Sequence, residues 1–364
     1  MADKIRLGII GANVRAHWAP RSHLPAIVAS PEYELTAVCT TKPESAEESR
    51  RKYGARLAFH DYREMVASPE VDAVAVVVRV PSHYEPTKAV LEAGKHVYTE
   101  WPLGRTTGEA EELAALAKAR GVQTAVGLQS RVNPALIYMK ELIETGYVGE
   151  VMSCLVSLVR DGALERPSNR TWQRDADLGA NTLTIANGHT IDALRFVAGN
   201  FSRVASVVTT QARQWWETDT RRMVDVTSPD NVLVSGRLAN GAVASAHIAT
   251  IPWADSGYRM EVYGREGTLV ATSDESPQLN EVRLQGAQGS NQLRELEVPS
   301  RFVYVLEGMP RGAPYNVGQM YYQWARAIRT GQSSRPVFDT AVELHRFIDA
   351  IKQASDTGRE VNVA

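Results

Sequence analysis

The chain has 364 residues, 44% of them hydrophobic and 23% charged. That is the composition of a soluble globular protein, not of a collagenous or disordered one, and at roughly 150 residues per domain it suggests about two domains. Lys plus Arg number 40 and Asp plus Glu 42, a formal charge of −2, which offers no electrostatic footprint for nucleic acid or an anionic membrane.

The first third alternates short β-branched runs with helical periodicity. Ile5–Ile10 reads as a strand, followed by a Gly/Asn turn and a helix carrying Leu24, Ile27 and Val28. The apolar part, Ile5–Ala12, is too short for the core of a signal peptide and contains Arg6. Glu34–Cys39 is a second strand, Ser45–Tyr53 and Tyr62–Ala67 are helices, and Val71–Val78 is a nearly unbroken apolar strand. Such a run suits a strand buried on both faces of a parallel sheet. A helix from Tyr84 to Ala93 stops at Gly94, His96–Glu100 is a strand, Gly108–Ala119 a helix stopping near Gly121, and Gln123–Gly127 a strand. Strand and helix in this alternation predict a doubly wound α/β domain over 1–127.

After Gly127 the pattern changes. Pro134–Glu144 is an amphipathic helix, and longer alternating strands follow at Glu150–Arg160, Arg203–Ala212, Asn231–Leu238, Ala242–Thr250, Arg259–Gly264 and Thr268–Thr272. Asn240-Gly241 marks a tight hairpin between two of them. One helix, Thr184–Val197, interrupts the strands, and Val317–Thr330 and Thr340–Thr357 close the chain. The fold class predicted is therefore α/β for the first domain and α+β, with a large mainly antiparallel sheet, for 128–364, the closing helices being candidates to pack back on the first domain. A cleft between the domains is the expected ligand site. The two cysteines, Cys39 and Cys154, each in an apolar run, read as small buried hydrophobes. No spacing argues for a metal, and no run of about 18 apolar residues argues for a membrane span; a cytoplasmic protein is expected.

The turn after the first strand carries the chemistry. A pyrophosphate cradle needs a residue without a side chain at the turn and backbone amides aimed at the phosphate oxygens. Gly11, Asn13 and Ala16 occupy the three fingerprint positions, with Ala12 and Val14 between them. Asn stands where the middle Gly is usual, and it tolerates positive φ better than other non-Gly residues. The second strand runs out into Thr40-Thr41-Lys42 with no acid to grip a ribose 2′-hydroxyl. Two hydroxyls and an ammonium favour NADP over NAD. His17 and Trp18 follow the turn, within reach of the cofactor, and His23 reads as a packed residue.

With that turn, the stretches Val80-Pro81-Ser82-His83-Tyr84-Glu85, Ala93–Leu103 and Gly188-His189-Thr190-Ile191-Asp192 resemble the Gfo/Idh/MocA oxidoreductase family, over nearly the whole chain. The resemblance implies a Rossmann domain, a second α+β domain whose open sheet supports a dimer or tetramer, and a nicotinamide cofactor acting on a sugar, sugar derivative or polyol. It places Val80, Pro81, His83, Glu100, Trp101, Pro102 and Gln129 near the cofactor. Two positions depart from the pattern. Glu100-Trp101-Pro102 stands where Glu-Lys-Pro is usual, and Ile185 where an Asp precedes the histidine by four residues. Both departures resemble the branch of the family that contains the yeast galactose-pathway repressor, which implies a second reading as a non-catalytic nucleotide-binding regulator.

For hydride transfer a base near neutral pKa must move the hydroxyl proton, and His189 is the candidate. Asp192 at i+3 would orient it. Trp101, Arg131, Asn187 and Trp172 are candidate substrate contacts. Trp101 either stacks on the nicotinamide or sugar, or packs as core. Arg160-Asp161 and the loop Arg170–Asp175 read as surface more readily than as site.

Overall fold

A computed structural model describes residues 3–16, 18–289, 291–333 and 336–363. Tertiary contacts divide the chain into two compact units, Met1–Gln129 with Tyr304–Glu343, and Ser130–Val303 with Leu344–Ala364.

The first unit contains β1 (Ile5–Ile10), α1 (His23–Ala29), β2 (Tyr33–Cys39), α2 (Pro43–Tyr53), β3 (Leu57–Phe59), α3 (Tyr62–Ala67), β4 (Ala73–Val76), α4 (Tyr84–Glu92), β5 (His96–Glu100), α5 (Thr107–Arg120) and β6 (Thr124–Gly127). The strands are all parallel, in the order β3-β2-β1-β4-β5-β6. This is the doubly wound dinucleotide-binding order, whose switch point lies between β1 and β4. All four residues of β4 are buried, as a strand covered on both faces requires. It is shorter than the apolar run Val71–Val78 because its ladder with β1 ends at the Ile10–Val76 pair, where the chain turns away at Gly11. The short edge strand β3 falls where three residues give no readable periodicity.

The helix expected to carry Leu24, Ile27 and Val28 runs from His23 to Ala29, well past the glycine turn. A helix running from Val14 would hold Pro20 in its interior, where the ring clashes and an N–H is lacking. Starting at His23 puts Pro25 in the first turn, where proline is tolerated. Between the turn and the helix, the Trp18 carbonyl accepts the amides of Arg21 and Ser22.

The second unit continues with α6 (Pro134–Glu144), β7 (Val151–Arg160), β8 (Glu165–Arg166), a π-helical turn (Thr182–Ala186), α7 (Asn187–Ala198), β9 (Phe201–Thr209), β10 (Gln214–Glu217), β11 (Arg222–Asp225), β12 (Asn231–Leu238), β13 (Val243–Thr250), β14 (Gly257–Gly264), β15 (Gly267–Ser273), β16 (Arg283–Gln288) and β17 (Arg294–Glu295). The chain ends with α8 (Ala313–Thr330), which belongs to the first unit, then α9 (Phe338–Thr357) and β18 (Val361–Asn362). Nine strands form one sheet in the order β17-β16-β15-β14-β7-β13-β12-β9-β18, antiparallel throughout except for β7 beside β13. The Asn240-Gly241 turn joins β12 to β13 as expected, with Gly241 at φ 93°. A separate sheet, β11-β10-β8, was not foreseen; its strands have two to four residues.

On one face of the large sheet Cys154, Val156, Leu158, Val232, Val234, Met260 and Val262 are buried. On the other, Leu155, Val207, Leu233, Val243 and Tyr263 are exposed. Both cysteines are free and buried, and burial pushes each thiol up to about 12. Among the described residues no helix is long and apolar enough to cross a membrane.

Candidate functional site

In the first unit the carboxyl ends of β1 and β4 form the candidate cofactor site. Gly11 has φ 94°, and a Cβ there would lie 2.0 Å from the Val77 carbonyl oxygen, so only glycine lets β1 turn so close to β4. The amides of Gly11 and Ala12 both donate to the Cys39 carbonyl, and Ser49 Oγ donates to the Ala12 carbonyl at 2.6 Å. These bonds fix the turn to β2 and α2. Asn13 does not use a positive φ: Arg221 is the non-glycine residue that has one among those described. Its side chain instead accepts the Arg15 amide at 2.8 Å while its carbonyl accepts the Ala16 amide, a turn that Asn forms well. Among the described residues the amides of Asn13 and Val14 find no hydrogen-bond partner. Two consecutive unspent N–H groups beside the switch point are what a pyrophosphate oxygen requires. Arg15 and Ala16 are exposed, and His17 lies outside the described residues.

At the end of β2 the hydroxyls divide. Thr40 is buried and committed, donating to the Lys42 carbonyl and paired with Ser45 Oγ at 2.6 Å, so it shapes the turn and does not face a nucleotide. Thr41 and Lys42 remain exposed, and Lys42 has no ion pair among the described residues.

Three residues placed near the cofactor by resemblance are consumed by the protein itself. Glu100 Oε1 accepts from His23 Nε2 and Gln129 Nε2, each at 3.0 Å, and Oε2 accepts from Trp18 Nε1 at 3.0 Å. The Tyr321 hydroxyl donates to His23 Nδ1 at 2.8 Å, the tautomer that leaves Nε2–H for the carboxylate. Gln129 is fully buried, and a Cβ at Gly127 would lie 2.5 Å from Glu100 Oε1. Around this group Tyr33, Tyr98, Tyr321 and Trp324 pack edge-on and stacked. The Glu100 carboxylate and the Gln129 amide nitrogen thus anchor the end of β5, while Gln129 Oε1 is buried without a hydrogen-bond partner. His83 is likewise buried, its ring nitrogens against the carbonyls of Pro102 (2.6 Å) and Val78 (3.1 Å). Desolvation lowers its pKa. It ties the Val80–Ser82 turn to the Trp101-Pro102 segment, whose peptide bond is cis. Trp101 is 4% exposed, on the packed side of the alternatives read from sequence. Val80 is buried and Pro81 half-buried.

In the second unit His189 falls in the first turn of α7, and its ring is buried. Asp192 does not orient it. Arg131 Nε and Nη2 donate to the Asp192 carboxylate at 2.8 and 2.7 Å, with Asp192 0% and Arg131 10% exposed. This bidentate pair commits to each other a carboxylate expected to orient His189 and a guanidinium expected to contact substrate. Asn187 is fully buried; Nδ2 donates to the Leu183 carbonyl and Oδ1 has no partner in the protein. Trp172 is half-buried beside, not in, the wall of a cavity that its neighbour Gln173 lines.

That cavity, of about 210 Å³, lies wholly in the second unit. Ile185 and Ala186 of the π-turn line it, as do Arg160, Arg166 and Trp215. The π-turn is held by Asn181 and Thr184 in a reciprocal cap; such turns recur at functional sites. Arg166 and Trp215 carry no signal in the sequence, because the short β8 and β10 bring them together.

The family model for the Gfo/Idh/MocA oxidoreductase family, NAD-binding Rossmann fold, matches residues 5–128, and that for its C-terminal alpha/beta domain matches residues 140–363. The chain belongs to this family. It is 35% identical over 208 residues to the dehydrogenase aclE of Aspergillus oryzae, 56% of this chain and 57% of that protein. It is 32% identical over 261 residues to the galactose/lactose metabolism regulatory protein GAL80 of Saccharomyces cerevisiae, 66% of this chain and 60% of that one. The chain thus spans about three fifths of the length of each of these two relatives. Levoglucosan dehydrogenase of Pseudarthrobacter phenanthrenivorans is 27% identical over 74% of this chain and 73% of its own. The structure of a levoglucosan dehydrogenase in complex with NADH and levoglucosan superposes with a TM-score of 0.88 at 24% identity, covering 99% of this chain and 100% of that one, a likeness of fold. The resemblance of the Trp101 and Ile185 positions to the repressor branch agrees with the presence of GAL80 proteins among the relatives.

Proposed function

We propose that the protein is a nicotinamide-dependent oxidoreductase, with NADP favoured over NAD, that interconverts a hydroxyl and a carbonyl on a sugar, sugar derivative or polyol. The observation that carries this reading is the Gly11 turn, which leaves the Asn13 and Val14 amides unspent at the β1–β4 switch point. The same residues would hold the cofactor's pyrophosphate. Thr41 and the unpaired Lys42 ammonium would face a ribose 2′-phosphate, which is the basis for favouring NADP. When bound, the cofactor supplies the hydride acceptor or donor.

The chain's own part is proton movement and placement. His189 takes the hydroxyl proton as the carbon is oxidised, or returns it in the reverse direction. The cavity beside Ile185 and Ala186 holds the substrate, and the Arg131–Asp192 pair fixes α7. The relatives named levoglucosan dehydrogenase and 1,5-anhydro-D-fructose reductase support the carbohydrate class. The exposed sheet face with Leu155, Val207, Leu233, Val243 and Tyr263 is the proposed contact of a homodimer or tetramer.

The test is titration of the full chain with NADPH and NADH by tryptophan-to-nicotinamide energy transfer, then a panel of sugars with the oxidised cofactor followed at 340 nm. His189→Ala is expected to abolish turnover and leave cofactor affinity unchanged; undiminished turnover would remove His189 from its role. A second reading, a nucleotide-binding regulator without turnover, is favoured by one specific feature. Trp101 and Ile185 replace the family's lysine and aspartate, and removal of a group that stabilises a developing alkoxide typically costs about 10²-fold or more in rate. Cofactor binding with no change at 340 nm across the panel would select it.

A further inference from the structure

The cavity of the second unit gathers three arginines. Arg160 ends β7, Arg166 ends β8, and Arg170 follows four residues later. The Arg166 guanidinium lies over the Trp215 ring, 3.9 Å from its centroid, and donates through Nη1 to Gln173 Oε1 at 2.8 Å. Stacking and one hydrogen bond hold this plane in place and leave its other donors unspent. Among the described residues the Arg160 guanidinium makes no hydrogen bond or ion pair, and no carboxylate pairs with any of the three.

The carboxylates near the cavity do not neutralise them. Asp230 spends its oxygens on the amides of Gln211 and Ala212 and on Asn231 Nδ2. Asp161 and Glu165 are exposed, and Asp161, Glu275 and Asp255 act on Arg160 only through space. Burial, and then the charges of Arg170 and Arg160, push the Arg166 pKa down to about 10. Half-buried guanidinium groups that repel one another and lack counter-ions are destabilising unless an anion is bound beside them. Planar forks of this kind recognise carboxylate and phosphate oxygens in pairs. The cavity, about 210 Å³, is smaller than the roughly 300 Å³ at which drug-sized sites begin, which limits the occupant to about one ring.

We propose that this cavity binds a single-ring carbohydrate carrying an oxyanion, a carboxylate or a phosphate ester, held by Arg160 and Arg166 with Arg170 at the rim. The proposal deepens, and as a statement about substrate rests on, the oxidoreductase reading above.

The experiment is calorimetric titration of the cofactor-loaded full chain with glucuronate, glucose 6-phosphate and glucose, at low and at physiological salt, with 340 nm absorbance followed in parallel. At least one of the two charged sugars is expected to bind at least about tenfold more tightly than glucose, and which one distinguishes carboxylate from phosphate. Arg166→Gln is expected to remove that preference while NADPH affinity, which reports an intact fold, stays unchanged. Arg170→Gln, at an exposed position where folding is not at stake, is expected to weaken the charged sugar about threefold at low salt and less at high salt. Equal affinity for all three sugars, binding of none, or charged-sugar affinity untouched in both variants would overturn the proposal. The two readings fail separately. Arginine-dependent binding without any change at 340 nm keeps the anion site and refutes the oxidoreductase, whereas turnover of glucose unaffected by Arg166→Gln does the reverse.

Discussion

Replacing Asp192 with Asn separates a structural carboxylate from a catalytic one. Both oxygens of Asp192 are engaged by Arg131, at 2.7 and 2.8 Å, and the carboxylate is completely buried. Arg131 itself is 10% exposed and lies over the Phe196 ring, so solvent does not take over when the charge opposite disappears. Breaking a buried pair by removing one partner costs about 3–5 kcal/mol, because the other charge stays behind uncompensated. In a unit of 150–250 residues, about 2–4 °C of melting temperature goes with each kcal/mol, so Asp192→Asn should lower the midpoint by about 6–20 °C. Arg131→Met should do the same. The double variant Arg131→Met/Asp192→Leu should recover most of the loss, since a buried pair replaced by apolar groups of similar volume is neutral or stabilising. Thermal melts of the four proteins, with urea midpoints as a second probe, make the comparison. A full-length Asp192→Asn protein that melts within about 2 °C of the parent, binds cofactor normally and has lost turnover would refute this reasoning and return Asp192 to the catalytic group.

Gly11→Ala should abolish cofactor binding in the energy-transfer titration, because the new Cβ meets the Val77 carbonyl at 2.0 Å and φ 94° is strained for alanine. Burial depresses the His345 pKa to about 4, against about 6.5 for a free histidine. The unfolded chain then binds the extra proton between those values, so stability is complete above about pH 6.5 and falls as pH drops toward 4; His345→Asn should flatten that limb of a urea-midpoint profile. Leu155→Glu, central on the exposed sheet face, should shift the protein to monomer in light scattering if that face joins subunits, and a monomeric parent would dispose of the contact.

The parallel domain was legible because its signals are local. Apolar runs such as Val71–Val78, set between helical segments, specify strand, turn and helix one after another, and the Asn240-Gly241 turn did the same for a hairpin of the second domain. Where reading failed, two causes recur. One is that short elements have no period: β3, β8, β10 and β11 exist because a neighbour pairs with them. The other is that a side chain's partner is fixed by tertiary packing. Thr40, His83 and Glu100 stand at the right places along the chain for a cofactor, but their polar atoms are spent on Ser45, Pro102, His23 and Gln129 Nε2. Spacing says where a residue stands along an element; it does not say which groups its oxygens meet.

The same distinction governs the site's charge. Read along the chain, Trp101 and Ile185 are losses, an ammonium and a carboxylate exchanged for apolar surface. In the fold, Ile185 lies in the wall of a cavity that holds Arg160 and Arg166 without a counter-ion. An aspartate at that position would bring a carboxylate into a lining with guanidinium groups free to pair with it, and an ion pair formed within the protein would compete with any anionic ligand. Isoleucine cannot compete. The substitution that weakens the resemblance to the family's usual motif is therefore consistent in charge with the arginines beside it. Ile185→Asp supplies the corresponding perturbation: it should reduce affinity for a charged sugar at low salt while leaving the Gly11 turn and its cofactor affinity as they are.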